Sequence, residues 1–492
     1  MRPTVSDTPP ASSPALRSGT SIAIAARAAT IALCTFALVL PASASAQATA
    51  PRSRWENQAR ELLKELVEIN TTNSVGNTVT AAEAMAKHMR AAGFPTEDVV
   101  VVENAPRKGN LVVRLRGRNM GRKPILLLSH IDVVEADPKD WTLPPFEFIE
   151  KGGEFFGRGV ADNKDEGAIH LTILLRMKAE GIVPDRDIIA ALTTDEEGGP
   201  ANGVDWILKN RPELLQAEYA LNEGGGGRIE DGRKISNDVQ ASEKKFQNFT
   251  LETTNPGGHS SQPRPDNAIN QLAAALVKVG AYQFPVHLNE VTREYFRRQA
   301  PIVGGAMGAA MRALVANEQD AQAAATIGRD PANNSRMRTS CVATMLSGGH
   351  ATNALPQRAT ANVNCRILPD ESPTYVREQL VTAIGDTGVK VTAEGQAEDS
   401  PPSPLTPDLL RTIEETTKEV WPGMPVVPTM STGATDGTYL RRAGIPVYGV
   451  SGLFYDTPNA QGMNEHISTE AFYQGLDFMY RLVRKLSAGP GM

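Results

Sequence analysis

The sequence predicts an α/β fold, and three features carry that expectation. Four short runs rich in Val, Ile and Leu, at 99–102, 111–115, 125–128 and 188–192, have the length and composition of buried strands. A helical pattern from Glu166 to Glu180 lies between the last two and supplies the long crossover that parallel strands require. At 492 residues the chain is also too long for one ordinary core, so two domains are expected.

Ahead of the strands, apolar residues recur at helical spacing from Trp55 to Ile69 (Leu62, Leu63, Leu66, Val67) and again from Thr80 to Ala92, which reads as two cover helices. Beyond residue 240 the texture changes. A strand-like run at Phe246–Thr253 is followed by a Pro/Gly/Ser turn region, a helix over Asn267–Val279 and an Ala-rich stretch from Gly304 to Ala325. Strand signals resume at Val342–Leu346 and Ala359–Ile367, and one more buried strand is expected at Ile445–Val450. The pattern is that of a second, α+β unit at 239–368, inserted between two parts of the first domain at 47–238 and 369–492.

The N-terminus differs in kind. A polar stretch carrying Arg2, Arg17 and Arg27 runs into the apolar segment Ala28–Leu40, which is shorter than the roughly twenty residues that a membrane-spanning helix needs. Pro41 breaks it, and Ala44-Ser45-Ala46 before Gln47 fits a signal-peptidase site. Residues 1–46 are therefore expected to be a secretory signal, with the mature protein periplasmic or secreted and not stably inserted in a membrane. Cys34 leaves with the signal. Cys341 and Cys365 remain, placed symmetrically about Asn353, and the sequence leaves open whether they form a disulfide or stay as two buried thiols.

A formal net charge of −6 and the absence of any basic stripe argue against nucleic acid or an anionic membrane surface as the main partner. The acidic and histidine residues are informative instead, because open α/β sheets bind ligands beyond the carboxyl ends of their strands. His130 and Asp132 follow the 125–128 run, and Asp195-Glu196-Glu197 follows 188–192. Asn222-Glu223 closes the run at 219–221, and Asp162 ends a Gly-flanked loop just before the crossover helix. Carboxylates crowded in this way repel one another unless a cation sits among them. Imidazole with carboxylate suits zinc, with cobalt or manganese as alternatives, and Asp132 is placed to hold the second ring nitrogen of His130. Adjacent Glu196 and Glu197 cannot point the same way on extended backbone, so one can bind metal while the other handles a proton. Singly, a His-x-Asp or a Glu-Glu pair is ordinarily a solvated surface feature; the combination in order is what carries weight.

The motifs Ser129-His130-Ile131-Asp132, Gly157-Arg158-Gly159 through Asp162-Asn163-Lys164, Asp195-Glu196-Glu197-Gly198, Gly258-His259-Ser260-Ser261, Asn353-Ala354-Leu355-Pro356 and Asn464-Glu465-His466 together resemble the two-zinc metallopeptidase family. That family includes glutamate carboxypeptidase, carboxypeptidase S, aminoacylase and acetylornithine deacetylase. The resemblance runs from about Trp55 to the C-terminus, and the stretch from Asp140-Trp141-Thr142 to Pro144-Pro145-Phe146 is similar to the carboxypeptidase S side of it. It implies a zinc-exopeptidase-like catalytic domain with a mixed, mainly parallel sheet, and a ferredoxin-like lid and dimerisation domain. It also implies two zinc ions per subunit bridged by Asp162, with His130 and Glu223 completing one and Glu197 and His466 the other. Glu196 would be the general base, His259 would stabilise the oxyanion, often across a homodimer, and Arg366 and Asn353 would hold a substrate carboxylate. The implied reaction is hydrolysis of the amide bond of small peptides or N-acyl amino acids. An N-acyl amino acid deacylase and an inactive binding protein of the same fold are the alternatives. Two departures stand out: Asp165 and Glu166 occupy the start of the crossover helix where Gly is common in the family, and Gly304–Ala325 reads as an enlarged lid helix.

Overall fold

The computed structural model describes residues 52–489 apart from 396, 398 and 456–458; the expected signal segment lies outside the described residues. Among them no helix is long and apolar enough to cross a membrane.

A nine-stranded mixed sheet organises the larger part of the chain. Its order is Val99–Ala105, Lys108–Leu115, Ile188–Thr193, Ile125–His130, Tyr219–Asn222, Val447–Gly449, Arg233–Glu243 and Val426–Ser431, with Gly226–Glu230 paired to Arg233–Glu243 off this path. Strands 188–193, 125–130, 219–222 and 447–449 run parallel to their neighbours in that block, as the crossover pattern requires. The first two strands instead form an antiparallel hairpin that joins 188–193 antiparallel, which a short Pro106-Arg107 turn permits without a crossover helix. Each of the strands 125–130 and 188–193 is buried along its whole length, so both faces are covered.

Helices Arg54–Glu68, Thr78–Ala91, Lys164–Ala179 and Thr469–Ser487 share the core over one face. Arg54–Glu68 begins with a capping box, the Ser53 hydroxyl accepting from the Glu56 N–H at 3.2 Å and the Glu56 carboxylate accepting from the Ser53 N–H at 2.6 Å. It buries Leu62, Leu63, Leu66 and Val67 against the crossover helix Lys164–Ala179, itself buried almost all round. At the head of that helix the fully buried Lys164 donates to the carbonyls of Leu66 at 2.8 Å and Ile69 at 3.1 Å, closing the C-terminal end of Arg54–Glu68. Burial pulls this ammonium down to about 7.

The inserted unit is a four-stranded antiparallel sheet in the order Ser340–Gly348, Arg358–Ile367, Lys245–Thr254, Val389–Glu394, with its own apolar core. Helices Ala268–Ala281 and Pro373–Ile384 pack on it through Leu272, Val279, Val376 and Leu380. This corrects the expected boundaries at both ends. Strand Arg233–Glu243 belongs entirely to the large sheet, so the chain crosses over at Lys244, not at 238. The inserted sheet continues past 368 to Glu394, because Val389 and Val391 close the core that helix 373–384 covers. Cys341 and Cys365 face each other in register and form a disulfide, with Cα atoms 4.1 Å apart.

The Ala-rich stretch does not enlarge a lid. It forms the helices Gly305–Ala316 and Ala321–Ile327, which pack with Glu290–Val303 into a separate cluster that includes Val427 of the large sheet's edge strand. Arg298 fastens this cluster by donating to the Val426 carbonyl at 2.9 Å. Small side chains allow the helices to approach closely, and the bundle covers an edge that would otherwise expose unpaired backbone.

Candidate metal centre

The carboxyl ends of three adjacent parallel strands bring the first residues together. His130 ends strand 125–130, opposite Thr193 of its neighbour, and Glu223 directly follows Tyr219–Asn222. Gly225 fixes the next turn: a Cβ there would lie 2.0 Å from the Gly449 carbonyl, so only glycine lets the chain pass so close to strand 447–449. Asp162 enters from the loop ahead of the crossover helix. The donor atoms of His130, Asp162 and Glu223 all lie within 4.8 Å of one another. His130 Nε2 is 3.0 Å from Asp162 Oδ1 and 3.7 Å from Glu223 Oε2.

The tautomer follows from the other ring nitrogen. His130 Nδ1 lies 3.0 Å from the Asp132 carbonyl oxygen, which can only accept, so Nδ1 carries the hydrogen and Nε2 offers its lone pair toward the carboxylates. The backbone of Asp132, more than its carboxylate at 3.7 Å, thus orients the ring. The Asp132 carboxylate accepts instead from the N–H groups of Glu196 at 3.2 Å and Glu197 at 3.1 Å and pins the acidic turn. Asp195, in the left-handed region at φ 59°, holds the other side of that turn through Lys108 at 2.5 Å and the Ala201 N–H at 3.1 Å.

Glu196 is half-buried, and its carboxylate meets no hydrogen-bond donor among the described residues. Burial, then the Glu223 charge, pushes it well above the usual carboxylate range. Burial and the Asp162 charge raise Glu197 to about 8. One buried Glu197 oxygen, Oε1, has no partner. His130 is raised despite its burial, because Glu223 and Asp162 stabilise its protonated form. These shifts all express the same crowding of negative charge. A divalent cation would do so better, and one imidazole lone pair with several carboxylate oxygens is a donor set that fits one.

The segment closing the site is Gln461–His466, but Gln461 is the residue that reaches the carboxylates, its Nε2 donating to Glu197 Oε2 at 2.8 Å and Asp162 Oδ2 at 3.4 Å. His466 makes no ion pair with a carboxylate among the described residues. Its Nδ1 lies 2.9 Å from Asn459 Nδ2 and 3.0 Å from the Asn464 carbonyl, and its ring packs on Phe156. With Nδ1 held by that carbonyl, Nε2 keeps its lone pair, as at His130. His466–Ser468 pairs with Glu154–Phe156, and Glu465 directly precedes that strand. Glu465 accepts from the N–H groups of Gly159 at 3.1 Å and Ala161 at 2.9 Å and pairs with buried Arg158 at 2.7 Å, clamping the loop that presents Asp162.

Three expected site residues stand apart from this cluster. His259 is exposed on a two-residue strand paired with Ala354–Leu355, its Nδ1 2.8 Å from the Ser261 hydroxyl. Asn353 is its neighbour, the Asn353 carbonyl accepting from the Ser260 N–H at 2.9 Å. Arg366, at the end of strand 358–367, lays its guanidinium over Phe246 at 4.9 Å. All three belong to the inserted unit.

Asp436 is a site residue that sequence reading missed. It is buried, accepts from Asn202 at 2.6 Å and from the Thr193 hydroxyl at 3.1 Å, and burial raises it to about 7. Its only local signal is the polar run Thr432–Gly437 after a buried strand. Below the cluster, Asp165 and Glu166 are buried, and the Tyr455 hydroxyl donates to Asp165 at 2.9 Å. Burial pushes Asp165 up to about 8. An acid raised in the folded state is a cost that grows with pH from about 4, its unfolded value, to the folded value. Asp165→Asn should therefore gain stability on the wild type at about pH 8 and not at about pH 4, measured as urea midpoints.

Beside the cluster opens a cavity of about 440 Å³ lined by Asp162, Glu166, Glu223, Arg228, Arg336 and Tyr455 among others, room for a residue-sized group.

The chain is 25% identical over 442 residues to human N-fatty-acyl-amino acid synthase/hydrolase PM20D1, covering 86% of this chain and 87% of that protein. It is 28% identical over 405 residues to the probable carboxypeptidase S-like 2 of Dictyostelium discoideum, covering 80% and 77% respectively. Rat aminoacylase-1A matches at 26% over 449 residues, covering 89% and 97%. Among solved structures, an M20 family metallo-carboxypeptidase from Sulfolobus solfataricus shares the fold with a TM-score of 0.64 at 19% identity, covering 87% of this chain and 98% of that one. A dinuclear metal-binding M20 peptidase from Bacillus subtilis shares it at a TM-score of 0.56 and 10% identity, covering 88% and 98%. The model of Peptidase family M20/M25/M40 matches residues 126–485, and the chain belongs to that family of metal-dependent amide-bond hydrolases.

Proposed function

We propose that this protein is an exported hydrolase that releases an amino acid from small peptides or N-acyl amino acids, with Glu196 moving the proton. The observation that carries the reading is a half-buried, donor-free Glu196 carboxylate set beside the His130–Asp162–Glu223 cluster. A zinc ion held by His130, Asp162 and Glu223, with a second divalent ion held by Asp162, Glu197 and His466, would polarise the scissile carbonyl and acidify the attacking water. Glu196 takes that water's proton and returns it to the leaving nitrogen. Asp132 keeps the two glutamates in place through their backbone N–H groups. Arg366 and Asn353 hold the substrate carboxylate, and His259 stabilises the oxyanion when the inserted unit of this chain or of a second copy closes over the site. A homodimer through that unit and a secretory signal at 1–46 complete the reading.

Relatives named as a fatty-acyl-amino acid hydrolase and an aminoacylase favour a second reading, in which the released group is an acyl chain. A panel of dipeptides, N-acetyl amino acids and long-chain acyl amino acids separates the two, each compound tested with a free and an amidated carboxyl group. Turnover is expected only with the free carboxylate. Equal turnover of the amidated set removes the role of Arg366 and Asn353, and no hydrolysis of any member removes the proposal.

A further inference from the structure

The helical cluster that covers the edge of the large sheet also reaches the cavity beside the metal centre. Its neighbour in the chain, the short helix Pro331–Met337, is fixed from two sides. The Tyr295 hydroxyl donates to Asn333 at 3.0 Å, and Lys244 at the crossover donates to the Ser335 hydroxyl at 3.2 Å and the Arg338 carbonyl at 2.7 Å. Between those anchors Arg336 lays its guanidinium over the Tyr295 ring at 4.8 Å and lines the same cavity of about 440 Å³ that Asp162 and Glu223 line.

Two guanidinium groups line this cavity, and they differ in their commitments. Arg228 donates to Gln299 at 2.9 Å and to the Ser236 hydroxyl at 3.3 Å, and pairs with Glu230 at 3.4 Å. Arg336 is half-buried and its side chain makes no hydrogen bond or ion pair among the described residues; its Nε is buried without a partner. Asp238, a carboxylate of the same lining, accepts from the Ser236 hydroxyl at 2.5 Å instead. A guanidinium held against an aromatic face with its donors unused is a receptor for a carboxylate, which it can bind through two parallel N–H bonds. Thr429, Ser431 and Thr432 add polar groups to the lining, whereas its larger aliphatic members, Met430 and Leu453, are fully buried. An alkyl chain placed here would strip water from Arg336 and return no hydrogen bond.

We propose that Arg336 reads a carboxylate on the acyl side of the scissile bond, so that the preferred substrates carry a short acyl group ending in an anion, as in a dicarboxylic acyl group or an acidic first residue. The inference rests on the hydrolase reading above, in which Arg366 and Asn353 take the carboxylate on the other side of that bond. The two anion contacts then come from different parts of the chain, one from the inserted unit and one from helix 331–337. With the amino acid's carboxylate held by the inserted unit, the cavity beside Asp162 and Glu223 is left for the acyl group, and its size admits a residue-sized group and not a long chain.

The test compares kcat/KM of the full mature chain, supplied with zinc, on succinyl-leucine, its uncharged analogue succinamoyl-leucine, its cationic analogue 4-aminobutyryl-leucine, and octanoyl-leucine. Wild type is expected to prefer succinyl- over succinamoyl-leucine by about 10–100-fold, the worth of a hydrogen bond to a charged group, and to turn over octanoyl-leucine less well than either. Arg336→Met keeps bulk against Tyr295 and should bring the first two within about threefold of each other. Arg336→Lys, which keeps the charge without the fork, should show an intermediate ratio, and Arg336→Glu should favour the cationic analogue over succinyl-leucine. Equal turnover of the succinyl and succinamoyl compounds in wild type, a faster octanoyl compound, or a ratio unmoved by all three variants overturns the inference and leaves the hydrolase reading standing. So does an Arg336→Met variant that loses instead the preference for a free over an amidated leucine carboxyl, since Arg336 would then hold the leaving residue. No hydrolysis of any of the compounds by wild type overturns both.

Discussion

Glu196→Gln is expected to lower kcat by about a thousandfold, within the range of about 10²–10⁴ that a positioned general base supplies, with metal content unchanged. The amide keeps the size of the side chain and removes only its ability to accept a proton. Glu196 is the side chain best suited to that task. It has no competing hydrogen bond among the described residues, whereas Asp132 is tied to two backbone N–H groups, Glu197 to Gln461, and Asp436 to Asn202 and Thr193. Burial and the nearby Glu223 hold it well above the usual carboxylate range, toward the pH at which a base works with greatest effect. Because Glu196 lies outside the His130–Asp162–Glu223 cluster, its loss should act on kcat and leave KM within a few-fold. Steady-state kinetics and elemental analysis of the same preparations check both halves. Retention of kcat within about tenfold would mean that the proton goes elsewhere, with Asp436 the next carboxylate to test.

Much of this site is legible in the sequence because it is local. His130, Glu196 and Glu223 each follow directly on an apolar run, and such runs end where the sheet's ligand-binding rim begins. The parallel pairing of 125–130 with 188–193 follows from the intervening helix. What the sequence conceals is set by register and by distant contacts. Glu465 is placed by contacts to Arg158, Gly159 and Ala161, some three hundred residues away in sequence. Gln461 carries no local signal, because its approach to Glu197 and Asp162 depends on a turn. Asp436 is brought in by Asn202 and Thr193, both more than two hundred residues away in sequence. The Ala-rich helices carried no sign of their target, since small apolar residues pack on a lid or on a sheet edge equally well. The cysteine pair shows the same limit: symmetry about Asn353 offered the pairing of Cys341 with Cys365, and the observed register of the two strands settles it.

Arg441→Met should cost about 3–5 kcal/mol of stability, the penalty for leaving one partner of a buried ion pair uncompensated. Glu243 ends the large-sheet strand at the point where the chain crosses into the inserted unit, and it is fully buried. Its Oε1 accepts from Arg441 at 2.5 Å, Thr438 at 2.8 Å and Ser400 at 3.0 Å. Oε2 accepts from both the N–H and the hydroxyl of Thr435, each at 3.0 Å. Arg441 in turn reaches Ser403 at 3.2 Å and the Val447 carbonyl at 3.1 Å, so the pair ties the crossover, the returning chain and strand 447–449 together. Methionine fills much of the same volume, which confines the loss to charge and hydrogen bonding. The double variant Glu243→Gln with Arg441→Met should recover part of it, since no charge is then left buried, and urea denaturation of the four proteins gives the coupling. The effect should also reach the chemistry. Thr435 precedes Asp436, which touches Thr193 across from His130, so a loosened Thr435–Gly437 turn lowers kcat even where the protein remains folded. A loss below about 1 kcal/mol would mean that water replaces the guanidinium without strain and that the junction does not depend on the pair.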